Sequence, residues 1–180
     1  MIVLKGDITC LNTDIIVNAA NKTLLGGGGV DGKIHQKAGI ELKEECAKLG
    51  GCKTGEAKIT DAYDLPCKKV IHTVGPVYDL GLDKEVELLK NSYLNSMKLA
   101  EEYRVDCNKE NISIAFPSIS TGAFAYPKDE ASKIAVDTIR EINNPNITVV
   151  FVCYGSEDYQ LYIENVYGLK LTCFDKMPFY

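Results

Sequence analysis

The chain predicts an α/β fold: a mixed β-sheet with helices on both faces. Three observations lead there. Strand-like runs rich in β-branched residues alternate with segments of helical period. The runs 68–74, 112–116 and 147–154 are nearly continuous apolar stretches, the pattern of strands covered on both sides. The runs 56–63 and 68–74 lie too close together for a crossover helix, so they pair antiparallel and make the sheet mixed.

Taken in order, "IVLK" (2–5) and "DIIVNA" (14–19) read as the first two strands. Ile34, Ala38, Leu42, Cys46 and Leu49 then recur at the spacing of one helix over 31–48. "EAKITDAY" (56–63) and "KKVIHTV" (68–74) form the antiparallel pair. Val86, Leu89, Tyr93, Met97 and Ala100 mark a helix over 83–103, and "ISIAF" (112–116) the next strand. "PKDEASKIAVDTIREI" places Pro127 at a first helical position, with Asp129 and Glu130 at the positive end of the helix dipole. "ITVVFVCY" (147–154) is the last strand, and "SEDYQLYIENVYG" a helix capped by Ser156 and stopped by Gly168. With no repeat, linker or low-complexity segment, residues 1–180 are expected to form one domain.

The net charge of −5 argues against a generic nucleic-acid binder, which carries a basic stripe. An anionic ligand would have to be held by backbone N–H groups and helix ends. Seven scattered cysteines without a CxxC pair fit a reducing compartment, where cysteine acts as a small buried hydrophobe. No cluster of metal ligands is close in sequence, so no metal is expected. The start shows no cationic region followed by an apolar one, and no apolar run approaches membrane-spanning length. A cytoplasmic location is the expectation.

The chemistry concentrates in "LLGGGGVDGKIH", residues 24–35. Four consecutive glycines cost much backbone entropy to order. The stretch contains a literal GxGxxG (Gly27, Gly29, Gly32) and a GxxxxGK ending at Lys33, but Ile34 stands where a P-loop needs a hydroxyl. Residues 20–26 also separate the glycines from the strand that a dinucleotide-binding turn should follow directly. A flexible surface loop is the plain alternative. It is weakened by "NAAN" (18–21) at the end of an apolar strand, and by a helix start that would aim the amides of residues 28–32 outward. A second strand–loop–helix cradle follows "ISIAF" in "PSISTGAFAYP" (117–127). Two such loops at strand ends suit a ligand bridged by a diphosphate.

With "KGDIT" (5–9), "DIIVNAAN" (14–21), "LLGGGGVDGKIH" (24–35), "GCKTGEAKIT" (51–60), "VIHTVGP" (70–76), "IAFPSISTGAFAYP" (114–127) and "VVFVCY" (149–154), the chain resembles the macrodomain family, in its MacroD-type branch. The resemblance runs from about residue 5 to about residue 160, with the motifs in the family's order. It implies a three-layer α/β/α sandwich around the mixed sheet, and ADP-ribose as ligand. By the same resemblance Asp7 accepts a hydrogen bond from the adenine amine with Ile8 N–H beside it, and Tyr154 covers the adenine face. Residues Ser120, Thr121, Gly122, Ala123 and Phe124 wrap the diphosphate and distal ribose, opposite Gly28, Gly29 and Val30. Asn21 holds the distal ribose, Asp31 orients and polarises the attacking water, and His35, one helical turn on, orients Asp31.

Each role has a plainer counterpart. Asp7 suits a helix cap or turn, Tyr154 an ordinary strand-end aromatic, Asn21 a turn-forming side chain, and His35 and His72 structural histidines; Lys33 is given no role. The implied activity is hydrolysis of mono-ADP-ribose from acidic side chains of proteins, together with deacetylation of O-acetyl-ADP-ribose, by a metal-independent monomer without a cofactor. The alternatives are a non-catalytic ADP-ribose reader and a hydrolase of another ADP-ribose derivative, such as a 1″-phosphate or a nucleic-acid-linked adduct. One departure stands out: Ala125 occupies a place where the family usually has glycine, and a positive φ there would be strained.

Overall fold

The computed structural model describes residues 1–79 and 83–169; Cys173 and the tyrosine-bearing tail lie outside the described residues. The elements are β1 (Ile2–Lys5), a 3-10 turn at Ile8–Cys10, β2 (Ile15–Ala19), α1 (Gly29–Ala38), α2 (Ile40–Lys48), β3 (Ala57–Asp61), β4 (Lys69–Thr73), α3 (Asp83–Asp106), β5 (Ile112–Phe116), α4 (Lys128–Ile142), β6 (Ile147–Cys153) and α5 (Ser156–Tyr167). The six strands lie in the order β1-β6-β5-β2-β4-β3. Only the β3–β4 pair is antiparallel, as their short connection requires; the other four pairings are parallel.

Side chains alternate across each strand, and the two faces fill separate cores. Val17, Ile114, Phe116 and Phe151 face α3, α4 and α5, whereas Ile16, Ala115, Val150 and Val152 face α1 and α2. That is a three-layer α/β/α sandwich. Phe116 and Phe151 anchor the first core, their ring centroids 6.2 Å apart, with Tyr93 and Tyr162 packed at 5.2 and 4.7 Å.

Three local expectations are revised. The helix expected over 31–48 is broken: Gly39 adopts φ +90, ends α1 and opens α2. Apolar spacing survives such a break because both pieces face the same core. Pro127 caps α4 rather than entering it, and Gly155 rather than Ser156 caps α5; the Ser156 hydroxyl instead accepts from Lys5 Nζ at 2.7 Å. Gly168 ends α5 with φ +71, the left-handed stop its position predicts. Among the described residues six cysteines are free and four of them buried, and no helix is long and apolar enough to cross a membrane.

Candidate active site

Parallel strands leave their carboxyl ends on one edge of the sheet, and the loops there enclose a cavity of about 670 Å³. The turn after β1 contributes Asp7 and Ile8, and the stretch after β2 contributes Asn21 and the glycines. From the loop after β5 come residues 117–124, and Tyr154 follows β6. All the residues to which the resemblance gives a ligand or catalytic role, except His35, meet on this wall.

The glycine tetrad does not need its glycines for one single reason. Gly26 adopts φ +87, open to glycine at no steric cost. At Gly28 a Cβ would meet nothing within 4 Å, so the protein itself leaves that face of the cavity bare. The close approach lies one turn on: a Cβ at Gly32 would sit 2.4 Å from the Gly27 carbonyl oxygen, so α1 can lie under the loop only without a side chain there. The residues at the start of α1, whose first N–H groups have no intrahelical acceptor, line the cavity.

Asn21 forms the turn and also lines the cavity. Its carbonyl oxygen accepts from the Thr23 amide and hydroxyl, and its amide donates to Gly26 O at 2.9 Å, which closes the turn. The same amide lies 3.4 Å from Asp31 Oδ2. Asp31 is only 4% exposed, and its Oδ1 accepts from Asn18 Nδ2 at 2.7 Å. Burial raises the Asp31 carboxyl above the usual carboxylate range, against the opposing pull of the Asn18 hydrogen bond and the neighbouring His35.

His35 does not line the cavity. Its Nε2 is 3.5 Å from Asp31 Oδ1, and neither ring nitrogen has a hydrogen-bond partner among the described residues. Burial lowers its pKa, so the ring favours its neutral form. The short side-chain hydrogen bond to Asp31 comes instead from Asn18. Nothing in the sequence marked it beyond the first amide of "NAAN", because its partner comes from another element.

The loop after β5 curls through two residues of positive φ, Ser120 at +67 and Ala125 at +54. The strain expected at Ala125 is present. Ala125 N donates to Gly122 O and Tyr126 N to Ser120 O, which leaves the intervening amides out of the loop's own backbone hydrogen bonds among the described residues. Gly75, after β4, makes room for this curl: a Cβ there would sit 2.1 Å from Ser120 Oγ.

After β1, Asp7 does cap the 3-10 turn, accepting from Thr9 N at 3.0 Å and Thr9 Oγ1 at 2.5 Å, while lining the cavity. Those bonds, helped by Lys37 at 3.4 Å, hold its carboxyl below the usual value even though burial opposes them. Tyr154 is 76% exposed, and Lys33 Nζ lies over its ring at 4.4 Å. Lys33, left without a role by the sequence, therefore reaches across the cavity from α1.

Comparison with known proteins supplies the context. Residues 17–135 match the family profile described as "Macro domain". A protein of Escherichia coli (strain K12) named O-acetyl-ADP-ribose deacetylase is 49% identical over 167 residues, covering 89% of this chain and 91% of its own. The Oceanobacillus iheyensis macrodomain solved with ADP superposes with a TM-score of 0.84 at 41% identity, over 91% of this chain and 88% of that one. The Trypanosoma brucei macrodomain in complex with ADP-ribose gives 0.79 at 38% identity, over 91% and 68%.

Proposed function

The chain belongs to the macrodomain family, and on that premise we propose that it is a one-domain hydrolase of esters on the distal ribose of ADP-ribose. Its substrates in this reading are O-acetyl-ADP-ribose and mono-ADP-ribosylated glutamate and aspartate side chains of proteins. Both linkages join a carboxylic acid to a ribose oxygen or carbon, so one site can serve both.

Adenine lies at the Asp7 end, its exocyclic amine donating to the ionised carboxylate and its face meeting Tyr154 after Lys33 gives way. The diphosphate sits between the amides of Gly28, Gly29 and Val30 and those of the 120–124 loop, a neutral cradle that suits a chain of net charge −5. The distal ribose rests against Phe124, with Asn21 donating to a hydroxyl. Asp31 faces the scissile ester and takes a proton from water. The water oxygen forms the new bond at the acyl or anomeric carbon and the ester C–O bond breaks; Asp31 returns its proton to a departing ribose oxygen, whereas a departing carboxylate leaves as the anion and the proton passes to solvent.

The observation that carries this reading is a buried carboxylate, aimed by amides, on the wall of a cavity flanked by two amide-bearing loops. A carboxylate with a raised pKa is a better base near neutral pH than an ordinary one. The reading asks for no cofactor, since amides and carboxylate supply the polarisation.

The test is incubation with O-acetyl-ADP-ribose and with proteins modified at glutamate or at serine, followed by chromatography of the released nucleotide. Release from the first two and not from the serine ether supports the proposal. Tight binding of ADP-ribose by calorimetry with no release from any substrate overturns it in favour of a reader.

A further inference from the structure

The face of the sheet that packs against α1 and α2 is apolar almost throughout, with Ile16, Ala20, Val70 and Val74 in its core. Asn18 and His72 interrupt it. Both are fully buried, and they are register partners on adjacent parallel strands, β2 and β4. Two polar side chains at such a place are costly unless every hydrogen bond is made. The Asn18 amide nitrogen bonds toward the cavity and His72 Nε2 away from it, while Asn18 Oδ1 has no partner among the described residues.

Asn18 Nδ2 lies 2.7 Å from Asp31 Oδ1 and 3.1 Å from His72 Nδ1. A carboxylate is acceptor-only, so the amide must turn its NH₂ group toward Asp31, and its second hydrogen then goes to His72 Nδ1. His72 consequently carries its proton on Nε2, which donates to Thr60 Oγ1 at 2.9 Å; the Thr60 hydroxyl donates onward to Asp61 O at 3.0 Å. Burial pushes the His72 pKa down to about 3, so the ring stays neutral and keeps one lone pair for Asn18.

A metal site is the competing account, because His35, Cys46 and His72 bring donor atoms within 4.8 Å of one another. It fails on His72, whose two nitrogens are committed to Asn18 and Thr60. Cys46, 3.6 Å from His72 Nε2, has its thiol pushed up to about 11 and stays protonated.

We propose that His72, which does not touch the cavity, is a positioning residue: it pins the Asn18 amide, and the pinned amide holds the Asp31 carboxylate at the angle hydrolysis needs. A freely turning amide could present its oxygen to Asp31 and repel it. The proposal rests on the reading above for its kinetic arm alone. The groups facing the pair are Asp31 and His35 from α1, Cys46 from α2 and Thr60 from β3, with Lys43 and Glu45 the next charges out.

Two measurements test it. Long-range ¹H–¹⁵N spectra of the wild-type protein between pH 5 and 8 need no turnover. Neutral His72 with its proton on Nε2 is the expected result, and a proton on Nδ1 overturns the proposal whatever the protein hydrolyses. Kinetics of His72→Leu and His72→Asn form the second arm. Asparagine restores an acceptor where Nδ1 lies, while leucine restores shape alone. With the neutral hydrogen bond that pins Asn18 lost, kcat of His72→Leu should fall roughly tenfold with KM unchanged, and His72→Asn should recover most of that loss. Unchanged kcat in the leucine variant, or equal loss in both variants, refutes the positioning role. If the leucine variant does not fold, the wild-type spectrum still decides.

Discussion

Two aspartates line one cavity, and their surroundings push them in opposite directions. Asp31 is buried, and desolvation holds its carboxyl above the ordinary value. The Asp7 side chain is 31% exposed, and bonds from Thr9 hold its carboxyl below that value. One chemical group thereby serves two purposes. A carboxylate that never gives up its charge is a fixed acceptor, suited to recognising a donor on a ligand. A carboxylate whose charge is costly can take a proton, and burial at the wall of a cavity is what makes it costly.

The sharpest way to break this comparison is to neutralise each acid in turn. Asp31→Asn keeps an oxygen for Asn18 but removes the base, so kcat should fall on the order of 10²–10⁴-fold in a turnover assay. Stability should not fall with it. A raised folded pKa means that the folded state binds more protons than the unfolded one between 3.8 and the folded value. Asp31 therefore favours folding most at low pH and loses that contribution as pH rises through its folded pKa. At neutral pH its charge is a burden that asparagine lifts, and the melting temperature should hold or rise.

Asp7→Asn should act on binding instead, raising KM roughly tenfold through loss of a charge-assisted hydrogen bond while leaving kcat within about twofold. The pH profile separates the same two residues. The acid limb of kcat should fall at a pH above 3.8, as Asp31 protonates, and should be identical in Asp7→Asn. A limb that moves with Asp7 would undo the division of labour.

The curled loop after β5 gives smaller effects. A methyl at Gly75 would lie 2.1 Å from Ser120 Oγ, so Gly75→Ala should displace the curled loop and weaken ADP-ribose binding by calorimetry several-fold. Ala125→Gly should do the reverse to stability. Relief of a left-handed alanine at φ +54 is worth ~1 kcal/mol, about 2–4 °C in melting temperature for a chain of this size, with turnover unchanged.

What the sequence determined by itself was everything carried by local pattern. Period-two and period-3.6 spacing is a property of neighbouring residues, and it placed all six strands, the long helix and the antiparallel pair. The glycine tetrad, the acid beside it and the second loop were legible because unusual composition at strand ends has few uses. The strain at Ala125 was foreseeable only through the family resemblance, which puts alanine where glycine is usual. The tertiary structure decided the rest. Asn18 and His72 are 54 positions apart and meet only because β2 and β4 pair in one register. Lys33 faces Tyr154 only once α1 has docked. A spacing rule sees along the chain, whereas the orientation of Asp31 depends on hydrogen bonds made across it, and the direction of those bonds exists only after the strands have aligned.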